Sequence, residues 1–324
     1  MGLFNLVKKR FTMQFISIVL GEKECNILVK KIKNGKTIYA HKKMFEIEDK
    51  EHLSPEIINY ISNLADEYEQ TYIILFLNTL GQGIIPKCNS DIFNKYGIDK
   101  KSVKSICIDN EFTIYASLID INWLNKIFQK VGLDFIFSPF LILNTHIKKD
   151  TNSDEVKLHM LNTNNGLTIM VKSGKKFLYG TFFNVGKNEN LLHEDFENAD
   201  SSSDTDIEEE LFDDLDLDDN SGIDEMQELN EDVDYDDEFG YESRLSEKDM
   251  RFIKYLDASM KEFYSSELYD SEFITKVIIY DGVGVNENII NYIKSELFLE
   301  VNVESVDLLE TMVEIAKEEV MANA

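Results

Sequence analysis

The residues able to do chemistry in this chain are mostly carboxylates, and their positions limit what they can do. Of 61 Asp and Glu, 25 fall between Asn188 and Ser243, a stretch with no Lys or Arg that Lys187 and Arg244 bracket. Without it, 36 acids face 33 bases, so the net charge of −28 belongs to one segment. A Ca²⁺ loop needs oxygen ligands at positions 1, 3 and 5, Gly at 6 and a bidentate Glu at 12. Placing Gly222 sixth puts Leu217 first; starting at Asp232, Asp234 and Asp236 puts Asp237 where Gly belongs and Ser243 where Glu belongs. Neither register is a calcium loop. Paired acids for hydrolysis need fixed separations, which a run of this composition does not supply. No serine stands in GxSxG, no GxxxxGK[ST] occurs, and five histidines form no HxxxH pair.

So dense a charge with so few large apolar residues cannot offset chain entropy, and the sequence predicts a disordered acidic insert over 188–243. Two roles stay open for it. One is a solubilising linker. The other is a partner-binding tail, because Leu211, Phe212, Leu215, Leu217, Tyr235, Phe239 and Tyr241 interrupt the acids and such segments can order against a basic surface.

Cys25, Cys88 and Cys107 are odd in number, far apart and without a CxxC. They read as buried thiols in a reducing compartment, with no disulfide or metal role. Lys8-Lys9-Arg10 before an apolar stretch superficially suggests a signal peptide, but Thr12, Gln14 and Ser17 interrupt it and no cleavage site follows. It reads as a first strand. No apolar run approaches the ~18–20 residues that span a bilayer, so the expected location is cytoplasmic. The acidic charge disfavours nucleic acid; Lys30-Lys31-Lys33 and Lys172-Lys175-Lys176 read as solvated hairpin surface.

The positioning elements follow from periodicity. Residues 14–20 and 25–32 are strands joined by a turn at Gly21–Glu24, and Asn34-Gly35 leads into a third strand over 36–47. Ser54-Pro55-Glu56 opens a helix with an Ile57, Ile58, Ile61, Leu64, Ala65 stripe. Residues 72–80 form a continuous apolar run, the mark of a strand covered on both faces. Residues 81–117 look irregular, apart from a strand that begins at Phe112 and runs to 118. A helix over 120–131 carries Trp123, and 133–143 leads through Ser138-Pro139 into a helical turn. Three strands follow over 156–161, 167–171 and 176–183. After the insert come a helix capped by Ser246, a strand over 274–280, the turn Asp281-Gly282-Val283-Gly284, a helix over 286–297, a strand at 301–303 and a helix over 306–321.

Two blocks of three antiparallel strands, each followed by helix–strand pairs, are the pattern of the actin/Hsp70-like duplicated α/β fold. Residues 1–150 form the first half with a small inserted subdomain over about 81–135. Residues 151–187 and 244–324 form the second half. Several passages make a family resemblance more specific: the apolar-basic start Met1–Arg10, the strand and helix from Ile114 to Val131-Gly132-Leu133, the hairpin Gly174–Gly180, the helix Met250–Tyr264, and the Gly turn, helix and short strand from Asp281 to Val303. Their order resembles the PilM family and the related cytoplasmic domain of GspL, actin-like components of type IV pilus and type II secretion machines.

That resemblance implies a nucleotide cleft between two Asp-containing hairpin turns and a Gly-Gly turn. Here Val19 stands where the first Asp is expected (Ile18 in the neighbouring register), and only Gly21 remains of that turn. Asn162 to Gly166 replaces the second Asp turn. The third keeps Gly282 and Gly284 but has Asp281 in place of a Gly. The degenerate cleft is therefore Gly21, Asn162, Gly282 and Gly284, with ATP binding left open and Mg²⁺-dependent hydrolysis not expected. The resemblance implies a non-catalytic scaffold, peripheral to the inner membrane through a PilN-like partner, with an assembly ATPase as a further partner. The partner's peptide would lie in a groove of residues 72–135. Two alternatives are a divergent FtsA-like ATPase and an interaction hub acting through the acidic run. The acids of the final segment, Glu314, Glu318 and Glu319, argue against a membrane-binding helix there.

Overall fold

A computed structural model describes residues 12–48, 53–88, 90–148, 155–164, 166–174, 176–184 and 246–322. The acidic run 188–243 and the basic lead-in 1–10 lie outside the described residues, so the expectations placed on them do not enter the structure.

The chain opens with β1 (Met13–Leu20), β2 (Glu24–Lys33) and β3 (Lys36–Glu46), an antiparallel meander. Asn34 and Gly35 both take positive φ, 51° and 76°, which a two-residue hairpin turn matching strand twist requires. Helix α1 (Pro55–Ala65) starts where expected, with the Ser54 side chain accepting from the Ile57 amide and Pro at the first turn. Its Ile57 and Ile61 lie buried against the sheet with Ile16, Ile18, Ile27 and Val29. β4 (Thr71–Phe76) then runs parallel to β1.

Residues expected to be irregular instead fold into an antiparallel three-stranded sheet: β5 (Gln82–Ile85), β6 (Val103–Ile108) and β7 (Phe112–Ser117), in the order β5-β7-β6. The alternation that marks a half-buried strand is missing from β6 because it is exposed on both faces from Lys104 to Cys107. Helix α2 (Leu118–Ile127) carries Leu124, which with Phe128 joins the buried cluster of the first sheet. Next comes β8 (Phe135–Phe137), parallel to β4, and then α3 (Pro139–Ile147). The first sheet thus has the order β3-β2-β1-β4-β8.

The second half repeats this scheme. β9 (Val156–Asn162), β10 (Gly166–Ser173) and β11 (Lys176–Asn184) form the meander. They are followed by α4 (Glu247–Ser265), β12 (Lys276–Asp281), α5 (Glu287–Ser295), β13 (Glu300–Ser305) and α6 (Leu308–Ala322), and the sheet order is β11-β10-β9-β12-β13. One apolar cluster draws on both halves: Phe15, Ile74 and Phe140 from the first pack with Leu161, Tyr280 and Met312 from the second. No described helix is long and apolar enough to cross a membrane.

Two expectations are corrected. Cys88 and Cys107 are joined by a disulfide, with Cα atoms 5.4 Å apart across 19 residues of sequence. The inserted sheet brings β6 beside the segment after β5, a proximity that no local spacing reports. Cys25 alone is a free thiol, its pKa pushed up to about 12 by burial. The second correction concerns the strand expected over 72–80. β4 ends at Phe76, not Leu80, and lies between β1 and β8, so its main chain has no open edge to offer. The three-residue strand Phe135–Phe137, too short to be seen as a strand in the sequence, fills that position.

Candidate functional site

The C-terminal ends of parallel strands in α/β sheets are where ligands usually meet the fold. Here the ends of β1 and β4 in the first half face those of β9, β12 and β13 in the second. A cavity of about 350 Å³ lies there, lined by Val19, Asn26, Lys42, Phe76 and Asn78 from the first half, and by Thr163, Asn164, Gly282, Val283 and residues 305–309 from the second.

Of the four cleft residues expected from sequence, the structure brings one to the cavity wall and places the others around it. Gly282 lines the cavity; its amide donates to the Asn162 carbonyl at 2.9 Å, and a Cβ there would stand 3.2 Å from the same oxygen. Asn162 itself, 4% exposed, sits at the end of β9 and does not face the cavity. Its Nδ2 donates to Asp281 Oδ1 at 2.9 Å across the β9–β12 pair. Gly21 closes the β1–β2 turn, its amide donating to the Glu24 carbonyl at 2.8 Å. Gly284 takes φ 95° with open space where a side chain would project, so it serves the turn's geometry.

Asp281 is the residue that departs most from a nucleotide-binding turn. Its carboxylate folds back on its own loop and accepts from the amides of Val283, Gly284 and Val285 at 3.2, 3.1 and 2.7 Å. Successive amides in a turn can gather an anion. In this turn the three amides are satisfied by the chain's own carboxylate, which also puts a negative charge beside the cavity.

The rest of the cavity supplies little for Mg²⁺ or phosphate. Val19 and Phe76 are apolar, and Thr163 Oγ1 is turned to the Gly166 carbonyl at 2.8 Å. The charged groups on the wall, Lys42 and Asp307, are paired with each other. Among the described residues no group of three His, Cys, Asp or Glu is placed to hold a metal ion. The residues present therefore do not fit a Mg-nucleoside triphosphate.

Contacts across the cleft also tie its walls together. Lys42 meets Asp307, Lys30 meets Glu310, Asn164 Nδ2 donates to Glu24 Oε1 at 3.0 Å, and the buried Ser17 hydroxyl donates to the Leu309 carbonyl at 3.0 Å. None of these pairs is visible in sequence, since partners lie 140 to 292 residues apart. The second half meets the inserted sheet as well. Ile84 of β5 lies over Gly180 of β11, where any Cβ would stand 2.5 Å from its Cγ2, and Tyr96 O–H donates to the Leu268 carbonyl at 3.3 Å.

Two α/β halves of matching strand order, a three-stranded sheet inserted in the first, and a cleft between the ends of their parallel strands are the arrangement of the actin-like fold. Residues 158–321 match the family described as "Domain of unknown function (DUF8341)", and the chain belongs to that family. Residues 11–144 match a second, "Domain of unknown function (DUF8569)". No curated protein matches the sequence. Solved structures similar to it include a Bacteroides thetaiotaomicron protein with an actin-like ATPase fold and unknown function, at 12% identity over 94% of each chain and a TM-score of 0.49. The PilM-PilN type IV pilus biogenesis complex aligns at 10% identity over 92% of this chain and 89% of that one, with a TM-score of 0.49. The ethanolamine utilization protein EutJ from Carboxydothermus hydrogenoformans aligns at 10% identity over 95% and 94%, with a TM-score of 0.37.

Proposed function

We propose that this chain is a non-catalytic actin-like scaffold. The observation that carries the reading is that the cleft's charges are already spent: the Asp281 carboxylate accepts from the amides of Val283, Gly284 and Val285, and Lys42 and Asp307 on the cavity wall pair with each other. An anionic ligand entering that turn would meet like charge and lose the amide donors. The sequence resemblance to PilM and GspL supports a cytoplasmic place under the inner membrane in a pilus, secretion or DNA-uptake machine, bound to the cytoplasmic segment of a PilN-like membrane protein. β4 is flanked by β1 and β8, so a peptide lying between the first sheet and its insert would be held by side chains rather than by the β4 main chain.

Purified protein incubated with Mg²⁺ and ATP should release no phosphate above the Gly282→Asp variant, which adds a further carboxylate at the cavity wall. A clear rate that this variant abolishes would overturn the reading. The partner half is tested separately, by looking for a single-pass membrane protein encoded beside it and titrating the protein with that protein's cytoplasmic peptide. Saturable binding supports the machine assignment, and no binding at any accessible concentration removes it.

A further inference from the structure

The Cys88–Cys107 bond lies outside both apolar clusters that hold the sheets together. Covalent staples are needed chiefly by small domains that cannot build a core, and this chain has a large one. Nor is the bond shielded. Cys107 is exposed and Cys88 half-buried, whereas the third cysteine, Cys25, is a free thiol sealed in the cluster of the first sheet. Exposed disulfides are the ones that exchange with outside thiols.

What the bond holds is local. β6 is exposed from Lys104 to Cys107 and pairs only with β7, so no buried side chain fixes that stretch. Cys107 and Ile85 flank the same β7 residue, Thr113, from opposite sides, and Cys88 lies just beyond Ile85. The bond therefore ties β6 to the continuation of β5 across the end of β7. Between the two cysteines the chain leaves the sheet through a 3₁₀ turn (Ser90–Tyr96). Buried Phe93 packs edge-on to Tyr115 at 6.4 Å, and Tyr96 reaches the second half, donating to the Leu268 carbonyl at 3.3 Å beside the Tyr269 ring. One covalent link thus closes the ring of chain whose far side touches the second half.

We propose that Cys88 and Cys107 form a reversible dithiol–disulfide site, a substrate for an outside dithiol, whose opening loosens β6 and the Tyr96 contact while both main sheets stay folded. A thiolate of the dithiol attacks the exposed Cys107 Sγ, and Cys88 leaves as a thiolate that takes up a proton. The reductant's second thiolate then displaces Cys107 from the mixed disulfide. Two electrons pass to the protein, which ends with two thiols, and the reductant ends as a disulfide. Oxidation by a disulfide reverses both steps. Cys25 takes no part, because burial keeps it out of reach and its thiol protonated. The inference stands on the inserted sheet alone and not on the scaffold reading.

The test uses the full chain, oxidised with oxidised glutathione and reduced with dithiothreitol, both without denaturant. After removal of the reagents, N-ethylmaleimide and peptide mass spectrometry should find Cys88 and Cys107 labelled only in the reduced protein, and Cys25 in neither. Hydrogen exchange should then separate the two forms. On reduction, amides of Val103–Ile108 and Phe93–Tyr96 should exchange about tenfold faster or more, with those of β1, β9 and β12 unchanged. Cys88→Ser with Cys107→Ser should match the reduced protein whether or not dithiothreitol is present; a response to the reagent in that variant overturns the inference. So does a bond that opens only in denaturant, a pair that stays free under oxidised glutathione, or exchange that reduction leaves unchanged. Loss of the cooperative thermal transition on reduction also overturns it, since the bond would then be part of the framework of the fold.

Discussion

The two halves share a strand order and differ in how they are held together. In the first, Val19 and Phe76 stand at the cleft ends of β1 and β4, and α1 packs on the sheet through Ile57 and Ile61. In the second, the corresponding strand ends are joined by Asn162 and Asp281. Its helix α4 is fastened by polar pairs along its length: Asn286 Nδ2 to Asp249 at 2.9 Å, Tyr292 O–H to Asp257 at 2.7 Å, and Tyr179 O–H to Glu262 at 2.8 Å. Apolar sealing is tolerant of shape but blind to register, whereas buried hydrogen bonds cost more when broken than they add when made. Both halves are packed on apolar faces, and the second adds side-chain pairs that fix α4 in register. Neither arrangement leaves at the cleft the uncommitted acids and amides that Mg-nucleotide chemistry uses.

The largest expected effect comes from the core the halves share. Phe140 is fully buried among residues from both, and Phe140→Ala should cost about 3–5 kcal/mol through lost transfer energy and a residual cavity. Denaturant unfolding should still show one transition, because the cluster is continuous. Two separated transitions would break the picture of halves joined by a common core. Next, Asp281→Ala removes the acceptor for three amides and for Asn162, at a cost of about 1–3 kcal/mol. A change at the cleft end of β1 in the first half, Val19→Ala, removes only methyl groups from a half-buried side chain and should cost less, about 1 kcal/mol. Equal losses would erase the contrast at the cleft. Of similar size is Ser246→Ala, which breaks the reciprocal cap with Asp249 at the head of α4, about 1 kcal/mol by thermal melting.

How much of this was legible depended on the range of the signal. The β1–β3 meander, the Ser54 cap, the β9–β11 block and the Ser246 cap rest on alternation, turn residues and caps, all local, and they lie where the sequence places them. The doubled pattern of strands and helices likewise carries the actin-like fold. What escaped reading was set by tertiary neighbours. β6 has no apolar face to alternate, β8 is three residues long, and the Cys88–Cys107 bond exists only because a sheet folds two distant segments together. At the cleft, the missing acids at Val19 and Asn162 are plain in the sequence. The inward turn of the Asp281 carboxylate is not, because it depends on how the backbone of residues 283–285 curls around it.

The smallest predicted effect separates the halves by pH. Asp257 on α4 has its pKa raised, chiefly because burial penalises the charged form, with the hydrogen bond from Tyr292 opposing that rise. A carboxyl whose folded pKa lies above its unfolded value holds its proton more tightly in the folded protein. Its contribution is fully present below the unfolded value, about 3.9, and is lost as pH rises through the folded value. At neutral pH the ionised Asp257 is then a mild burden on the second half. Asp257→Asn keeps an oxygen that can accept from Tyr292 and removes the buried charge. Denaturant titrations should find the variant slightly more stable than wild type at pH 7, with the difference shrinking towards zero as pH falls below 4. A variant that is less stable at pH 7 would mean that the Tyr292 bond outweighs desolvation. The polar pairs of the second half would then stabilise it through their charge and not in spite of it.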